Sequence, residues 1–205
     1  MDKQLQHRAV EVVKALQRAT KKMQQPLVNE IIKDFGKDPF LILISCLLSL
    51  RCRDIVTLPV CRVLFHKVKT PQEILSLPIP ELEQIIFSVN FYKRKARLLH
   101  AVSKVIINDF NGKVPATEKE LLSINGVGPK TANLVLGLAY DIPAICVDVH
   151  VHRLSNLMGF IHTKTPEQTE QALKKILPKK YWIEWNRLLV IWGQNFKKPC
   201  ICKLY

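Results

Sequence analysis

A pair of glycines between two helical runs restricts this chain more than any other feature. Glu118–Ser123 has the spacing of a short helix and Pro129–Tyr140 that of a longer one, with Gly126-Val127-Gly128 between them. So short a connection can only be a tight hairpin. Both glycines are free to take positive φ and to leave backbone amides bare. Pro129 suits the first position of the second helix, where a missing N–H loses nothing. That helix then points its first amides and the positive end of its dipole outwards, a ready site for a phosphate. Lys130 stands beside that site. Taken alone, the glycines also fit an ordinary joint between two helices.

Three neighbours add to the hairpin: Ile124 two positions before the first glycine, small Ala132 where two helices must pass closely, and a lysine that no solvated face requires. Together they resemble the helix-hairpin-helix motif, which grips DNA backbone without reading sequence. Charge agrees: Lys and Arg number 31 against 17 acids, a net +14. Such a surplus suggests a polyanion partner, because basic groups release counterions from phosphates; a basic surface kept for solubility gives the same count. An apolar share of 48% over 205 residues excludes a disordered chain and allows one large or two small domains.

Cysteines at 46, 52, 61, 146, 200 and 202 show no secreted disulfide spacing and imply a reducing compartment. Met1-Asp2-Lys3-Gln4 lacks the apolar core of a signal peptide, and the longest apolar run, Pro39 to Leu50, is too short to span a bilayer. A monomeric, cytoplasmic, nucleoid-associated protein is the expectation.

The remaining pattern is helical throughout. Residues 4–22 carry Val10, Val13, Ala15 and Leu16 at helical spacing, and a short helix, Leu27 to Phe35, stops at Gly36. Asp38-Pro39 opens a run from Phe40 to Leu50 that is apolar nearly all round and belongs at the centre of a core. Asp54 is placed to cap Ile55 to His66, Thr70-Pro71 and Pro78-Ile79-Pro80 start two short helices, and Thr117 with Glu120 reads as a capping box. Ser88 to Tyr92 turns into the basic run Lys93-Arg94-Lys95-Ala96-Arg97 of an amphipathic helix ending near Asp109. Beyond Asp141-Ile142-Pro143 come a short extended piece, Ala144 to Val147, and helices from Asp148 to Met158, Thr165 to Leu177 and near Lys180 to Trp192. The expected class is all-α, with about ten helices and no long strand pattern.

Lys130 and Asp148 each stand at a helix start, and an intervening turn folds the two starts toward one edge of the molecule. A lysine nucleophile must be partly neutral, and a helix N-terminus, cationic surroundings and partial burial all favour that. An aspartate that accepts amide hydrogen bonds stays ionised and can stabilise positive charge on a sugar or orient the attacking amine. The pair suits cleavage of an N-glycosidic bond with capture of the sugar carbon as a Schiff base. Singly, Lys130 also reads as a phosphate contact and Asp148 as a helix cap.

From Pro39 to Trp192 the chain resembles the helix-hairpin-helix DNA glycosylases, and most closely the endonuclease III family. The likeness rests on Leu47-Leu48-Ser49, Asn90-Phe91-Tyr92, Gly126 through Asn133, and Val147-Asp148-Val149-His150-Val151-His152-Arg153 in the family's order. It implies two helical domains with DNA in the cleft between them: a central bundle over 27–140, and a second domain of 1–26 plus 141–205. It implies Lys130 as the Schiff-base lysine and Asp148 as the catalytic aspartate of a bifunctional enzyme. Such an enzyme removes a damaged base, usually an oxidised pyrimidine, and cuts the strand by β-elimination at damaged or abasic sites in double-stranded DNA. Phe91 stands at the intercalating wedge, which in the family is usually leucine. Gly126, Val127, Gly128 and Thr131 fall on the DNA backbone, and Lys95 is expected there with its basic neighbours. His150 matches a family histidine that supports the site, although packing explains it as well.

Two departures matter. Arg51 replaces the family's gap-filling glutamine; it can hydrogen-bond a guanine or contact a phosphate. At the C-terminus Gly193-Gln194-Asn195-Phe196 matches the lead-in to four cysteines that hold a [4Fe-4S] cluster, but only Cys200 and Cys202 follow. Four thiolates are the usual requirement, so no cluster is expected, and no other metal. Trp182, Trp185 and Trp192 are expected to hold the last helix by packing. The resemblance leaves room for a monovalent cation on the hairpin carbonyls. A mismatch-directed thymine or uracil glycosylase, kept open by Arg51, and a non-catalytic DNA-binding scaffold are the alternatives.

Overall fold

The structure, a computed structural model, describes residues 3–196. The chain divides into two compact units, one of Leu27–Asp141 and one joining Met1–Pro26 to Ile142–Tyr205. Among the described residues there are twelve α-helices, one short 3-10 turn and no strand. The expectation from the sequence is roughly ten helices, and the two short proline-started ones are among the twelve.

Residues 27–141 form eight helices: α2 (Leu27–Phe35), α3 (Pro39–Ser49), α4 (Asp54–Lys67), α5 (Pro71–Ser76), α6 (Ile79–Ile85), α7 (Tyr92–Phe110), α8 (Glu118–Ser123) and α9 (Pro129–Tyr140). The apolar run of α3 becomes the axis of this unit. Every residue from Phe40 to Leu48 is buried, and α3 packs against α2, α4, α7 and α9. Its start is fixed as the sequence indicates: Asp38 Oδ1 accepts from the amides of Phe40 and Leu41 at 2.8 and 2.9 Å, and Pro39 occupies the first turn. Asp54 does not cap α4. Its carboxylate accepts from the Leu27 amide at 3.2 Å and so ties the start of α2 to the start of α4. The Thr117–Glu120 box is half made: Thr117 Oγ1 accepts from the Glu120 amide, but the Glu120 carboxylate accepts from the Thr117 hydroxyl. The complete box is at Thr70 and Glu73. The end of α9 closes on Asp141, a left-handed cap at φ 55, which is ion-paired to Lys37.

The other unit contains α1 (Lys3–Thr20), α10 (Val149–Leu157), α11 (Pro166–Ile176) and α12 (Trp182–Asn195). Ala9, Val12, Val13 and Leu16 of α1 share one core with Val151 and Leu154 of α10, Leu173 of α11, and Trp185, Leu188, Leu189 and Trp192 of α12. The N-terminal helix thus completes a bundle whose other members come from the far end of the chain. Trp185 is fully buried and donates its Nε1 proton to Ser155 Oγ at 3.1 Å; Asn186 Nδ2 donates to Cys146 O at 3.0 Å. Trp182 is only partly buried and donates to Leu177 O. Burying an indole stabilises by a few kcal/mol, so two of the three tryptophans hold α12 from inside and the third grips its start.

Candidate active site

The hairpin between α8 and α9 is built as two unequal glycines. Gly126 alone takes positive φ, at +91°, and a Cβ there would lie 2.6 Å from Leu98 Cδ1. It is needed for its conformation and for its lack of a side chain. Gly128 is extended at φ −97°, and a Cβ there would meet nothing within 4 Å. Of the two glycines free to take positive φ, one does so. What Gly128 offers is an open approach at the N-cap of α9, where no side chain caps the first amides.

Lys130 sits in the first turn of α9 and is exposed, so the partial burial expected of it is absent. The face behind it is rigid: Ala132 is fully buried, Thr131 and Asn133 are 3% and 5% exposed, and α9 packs on α3. Cys46 of α3 feels the Lys130 charge. Even so, burial pushes its thiol up to about 12.

Three of the residues expected at the DNA have buried side chains. Thr131 is turned into the helix packing. Val127 is 6% exposed and its amide donates to Ile124 O at 3.0 Å, which makes it the apolar pin of the hairpin. Lys95 is also 6% exposed, and its Nζ donates to Leu48 O at 2.6 Å and Leu50 O at 2.8 Å. Its amine closes the C-terminus of α3 instead of reaching a phosphate. Gly126, Gly128, Arg51, Phe91, Lys93, Arg94 and Arg97 remain exposed.

Arg51 and Phe91 both have left-handed backbones, at φ 54 and φ 60. Phe91 is 60% exposed, the wrong environment for a core aromatic and the right one for a wedge. Arg51, Phe91, Arg94, Arg97, Asn125 and Gly126 line one cavity of about 630 Å³ within residues 27–141. The cavity is thus bordered by both the hairpin and the aromatic tip, and three guanidinium groups stand around it. Nothing in the sequence pattern marked Asn90 as a structural partner here, yet its Nδ2 donates to Arg51 O at 2.7 Å.

Asp148 is the N-cap of α10: its Oδ1 accepts from the Val151 amide at 2.8 Å, and it is half-buried. Val149 beside it is 71% exposed. His150 is half-buried against Gly193, where a Cβ would come within 2.2 Å of its Nδ1, and that nitrogen is buried without a hydrogen-bond partner. The packing reading of His150 is the one its surroundings fit. Among the described residues, no group of three or more His, Cys, Asp or Glu could hold a metal ion, and no helix is long and apolar enough to cross a membrane. Cys200 and Cys202 lie outside the described residues.

A model of the HhH-GPD superfamily of base excision DNA repair proteins matches residues 44–179. The chain is 41% identical to an endonuclease III of Thermotoga maritima over 86% of this chain and 85% of that protein. In three dimensions it is similar to endonuclease III in a non-covalent DNA complex, with a TM-score of 0.82 and 32% identity over 95% of this chain and 88% of that one. It is equally similar to a trapped endonuclease III–DNA covalent intermediate, with a TM-score of 0.82 and 32% identity over 94% and 88%.

Proposed function

Because the chain belongs to the HhH-GPD superfamily of base excision DNA repair proteins, and within it to the endonuclease III family, we propose that Lys130 and Asp148 are its catalytic pair. The chain is a bifunctional DNA glycosylase and AP lyase acting on damaged double-stranded DNA. The observation that carries the assignment of residues is the bare start of α9: an exposed primary amine one position past a proline, behind an open glycine and over a rigid floor.

A target base stacked in a duplex is out of reach of any side chain, so the nucleotide must leave the helix. Phe91 fills the space it vacates, and Gly126, Gly128 and the amides of the first turn of α9 hold the backbone. Lys130 Nζ, once deprotonated, attacks C1′. The N-glycosidic bond breaks and the base departs with its electron pair. Asp148 stabilises the positive charge that develops on the sugar; its Oδ1 holds the Val151 amide, so Oδ2 is the oxygen assigned to this role. The amine, now bonded to C1′, gives up a proton, and its lone pair breaks the C1′–O4′ bond and opens the sugar ring, O4′ taking up a proton as a hydroxyl. The Schiff base so formed makes the C2′ proton acidic, and its loss expels the 3′ phosphate.

Oxidised pyrimidines are the proposed lesions, on the family likeness, with His150 of α10 as a support packed against Gly193 of α12. An intracellular, nucleoid-associated monomer is the matching setting. An iron–sulfur cluster is not proposed. Within this sequence Cys200 and Cys202 are the cysteines that follow α12; of the other four, Cys46, Cys61 and Cys146 are buried and Cys52 half-buried. Four thiolates are the usual requirement, and no step here uses a cluster.

The test is borohydride trapping on a duplex with one oxidised pyrimidine. A covalent adduct that disappears in Lys130→Gln is expected. An adduct that persists in that variant moves the nucleophile elsewhere. Thymine or uracil opposite guanine, run in parallel, tests the second reading, which the exposed guanidinium of Arg51 keeps open.

A further inference from the structure

The chain after α3 turns at Ser49-Leu50-Arg51-Cys52. The Cys52 amide donates to Ser49 O at 3.0 Å, Leu50 has φ −56 and ψ 120, and Arg51 has φ 54. These are the angles of a type II turn, whose third position is normally glycine because of its positive φ. An arginine there carries backbone strain, which persists only where its surroundings hold it. Both carbonyls around it are held. Lys95 Nζ binds Leu50 O, and Leu48 O behind it, while Asn90 Nδ2 binds Arg51 O. Both clamping residues come from the segment that carries Phe91: Asn90 precedes it, and Lys95 lies one helical turn into α7, with its amide on Phe91 O.

The chemistry of Lys95 makes this more than incidental. Burial lowers its pKa, the sign of an amine kept from water at a cost, and its two acceptors are carbonyls, not a carboxylate. A cation at the end of α3 is favoured by the helix dipole, and it fixes the direction in which the chain leaves that helix. Arg51 and Phe91 therefore border the same cavity as one mechanical unit.

We propose that Asn90 and Lys95 are positioning residues for Arg51, clamping the two carbonyls on either side of its backbone so that its side chain reads the base opposite the extruded nucleotide. This rests on the reading of the chain as a glycosylase with Phe91 as wedge. It assigns Arg51 to discrimination among opposite bases, Phe91 to extrusion with any opposite base, and Asn90 and Lys95 to discrimination through Arg51.

The experiment is single-turnover base release from four duplexes that share one oxidised pyrimidine and differ in the opposite base. The readout is the ratio of rates between best and worst duplex. That ratio is insensitive to the fraction of enzyme folded, so loss of stability alone does not move it. Arg51→Ala is expected to flatten the ratio by about tenfold, the size of a lost base-edge contact. Asn90→Ala should flatten it by about threefold or more, and should add nothing in the Arg51→Ala background, because the two act as one unit. Lys95→Met, if it folds, behaves as Asn90→Ala; if it does not fold, Asn90→Ala carries the test. An unchanged ratio in Asn90→Ala with a flattened one in Arg51→Ala overturns the clamp and leaves the role of Arg51 intact. An unchanged ratio in Arg51→Ala overturns both. Absence of base release from all four duplexes by the unaltered protein removes the glycosylase reading itself.

Discussion

The two helix starts that carry the proposed reactive groups are built in opposite ways. At α9 the cap is Gly128, with no side chain to satisfy the first amides, and Lys130 is exposed above a floor of buried residues. At α10 the cap is Asp148, whose own carboxylate closes on the Val151 amide. The first start is left without a side-chain cap, and a phosphate is the group proposed to complete it. The second is capped by the protein itself, through the carboxylate proposed as reactive. On that proposal, a residue at the first start can be removed with little effect on folding, whereas at the second, fold and chemistry share one carboxylate.

The largest effect that tests this contrast is at Lys130. Lys130→Gln should abolish the trapped adduct and lower strand cleavage by at least about a thousandfold, the order expected when a nucleophile is deleted. Its melting temperature should stay within about a degree of the unaltered protein, because the residue is exposed. A marked loss of stability would show that the α9 start is not the unfinished one. Next comes Asp148. Asp148→Asn keeps a capping side chain but loses the charge, so base release should fall by roughly 10²–10⁴-fold with DNA binding and stability nearly unchanged. Asp148→Ala should match that catalytic loss and also destabilise by about 1 kcal/mol, read by thermal unfolding. Equal stability of the two variants would break the claim that the carboxylate does both jobs.

How much of this could be read from the chain depended on how local each determinant was. The hairpin, the Asp38 cap and the apolar run of α3 were legible because glycine, proline and capping residues act within a few positions. The direction of a side chain was not. Val127, Thr131 and Lys95 belong to stretches that read as DNA contacts, and all three are buried. For Thr131 and Lys95 the cause lies far along the chain: the packing of α9 on α3, and the carbonyls of Leu48 and Leu50. Asp54 looked like a cap for the helix beside it and instead holds Leu27. The left-handed arginine at 51 was invisible for the same reason, since composition marks positive φ through glycine and asparagine, not through a residue clamped from a distant helix.

Within the α9 start, the two glycines sharpen the comparison further. Gly126→Ala meets Leu98 Cδ1 at 2.6 Å and a φ of +91, and should destabilise by about 3 kcal/mol from strain and overpacking together. Gly128→Ala meets nothing and adopts an angle open to any residue. It should leave thermal stability unchanged and weaken binding to abasic duplex DNA several-fold by holding the phosphate away. A destabilised Gly128→Ala, or one that binds DNA normally, would mean the opening over the α9 amides has no role in binding.

The smallest effect concerns what lies beneath α9. Burial pushes the thiols of Cys46 and Cys61 from 9.0 up to about 12. Their unfolded forms ionise first, so between those values the folded state holds more protons and stability falls as pH rises. Below pH 9.0 the contribution is complete; above it, each thiol lowers stability progressively until its folded value is reached. Both thiols belong to residues 27–141, whereas the three tryptophans, Trp182, Trp185 and Trp192, all belong to α12. Alkaline pH should therefore lower the helical transition followed by circular dichroism at least as steeply as that followed by tryptophan fluorescence. A Cys46→Ala, Cys61→Ala variant starts from a lower melting temperature because of the small cavities it opens, but should lose less of it between pH 9.0 and about 10.5. A slope undiminished in that variant would place the alkaline weakness outside the floor of the α9 start.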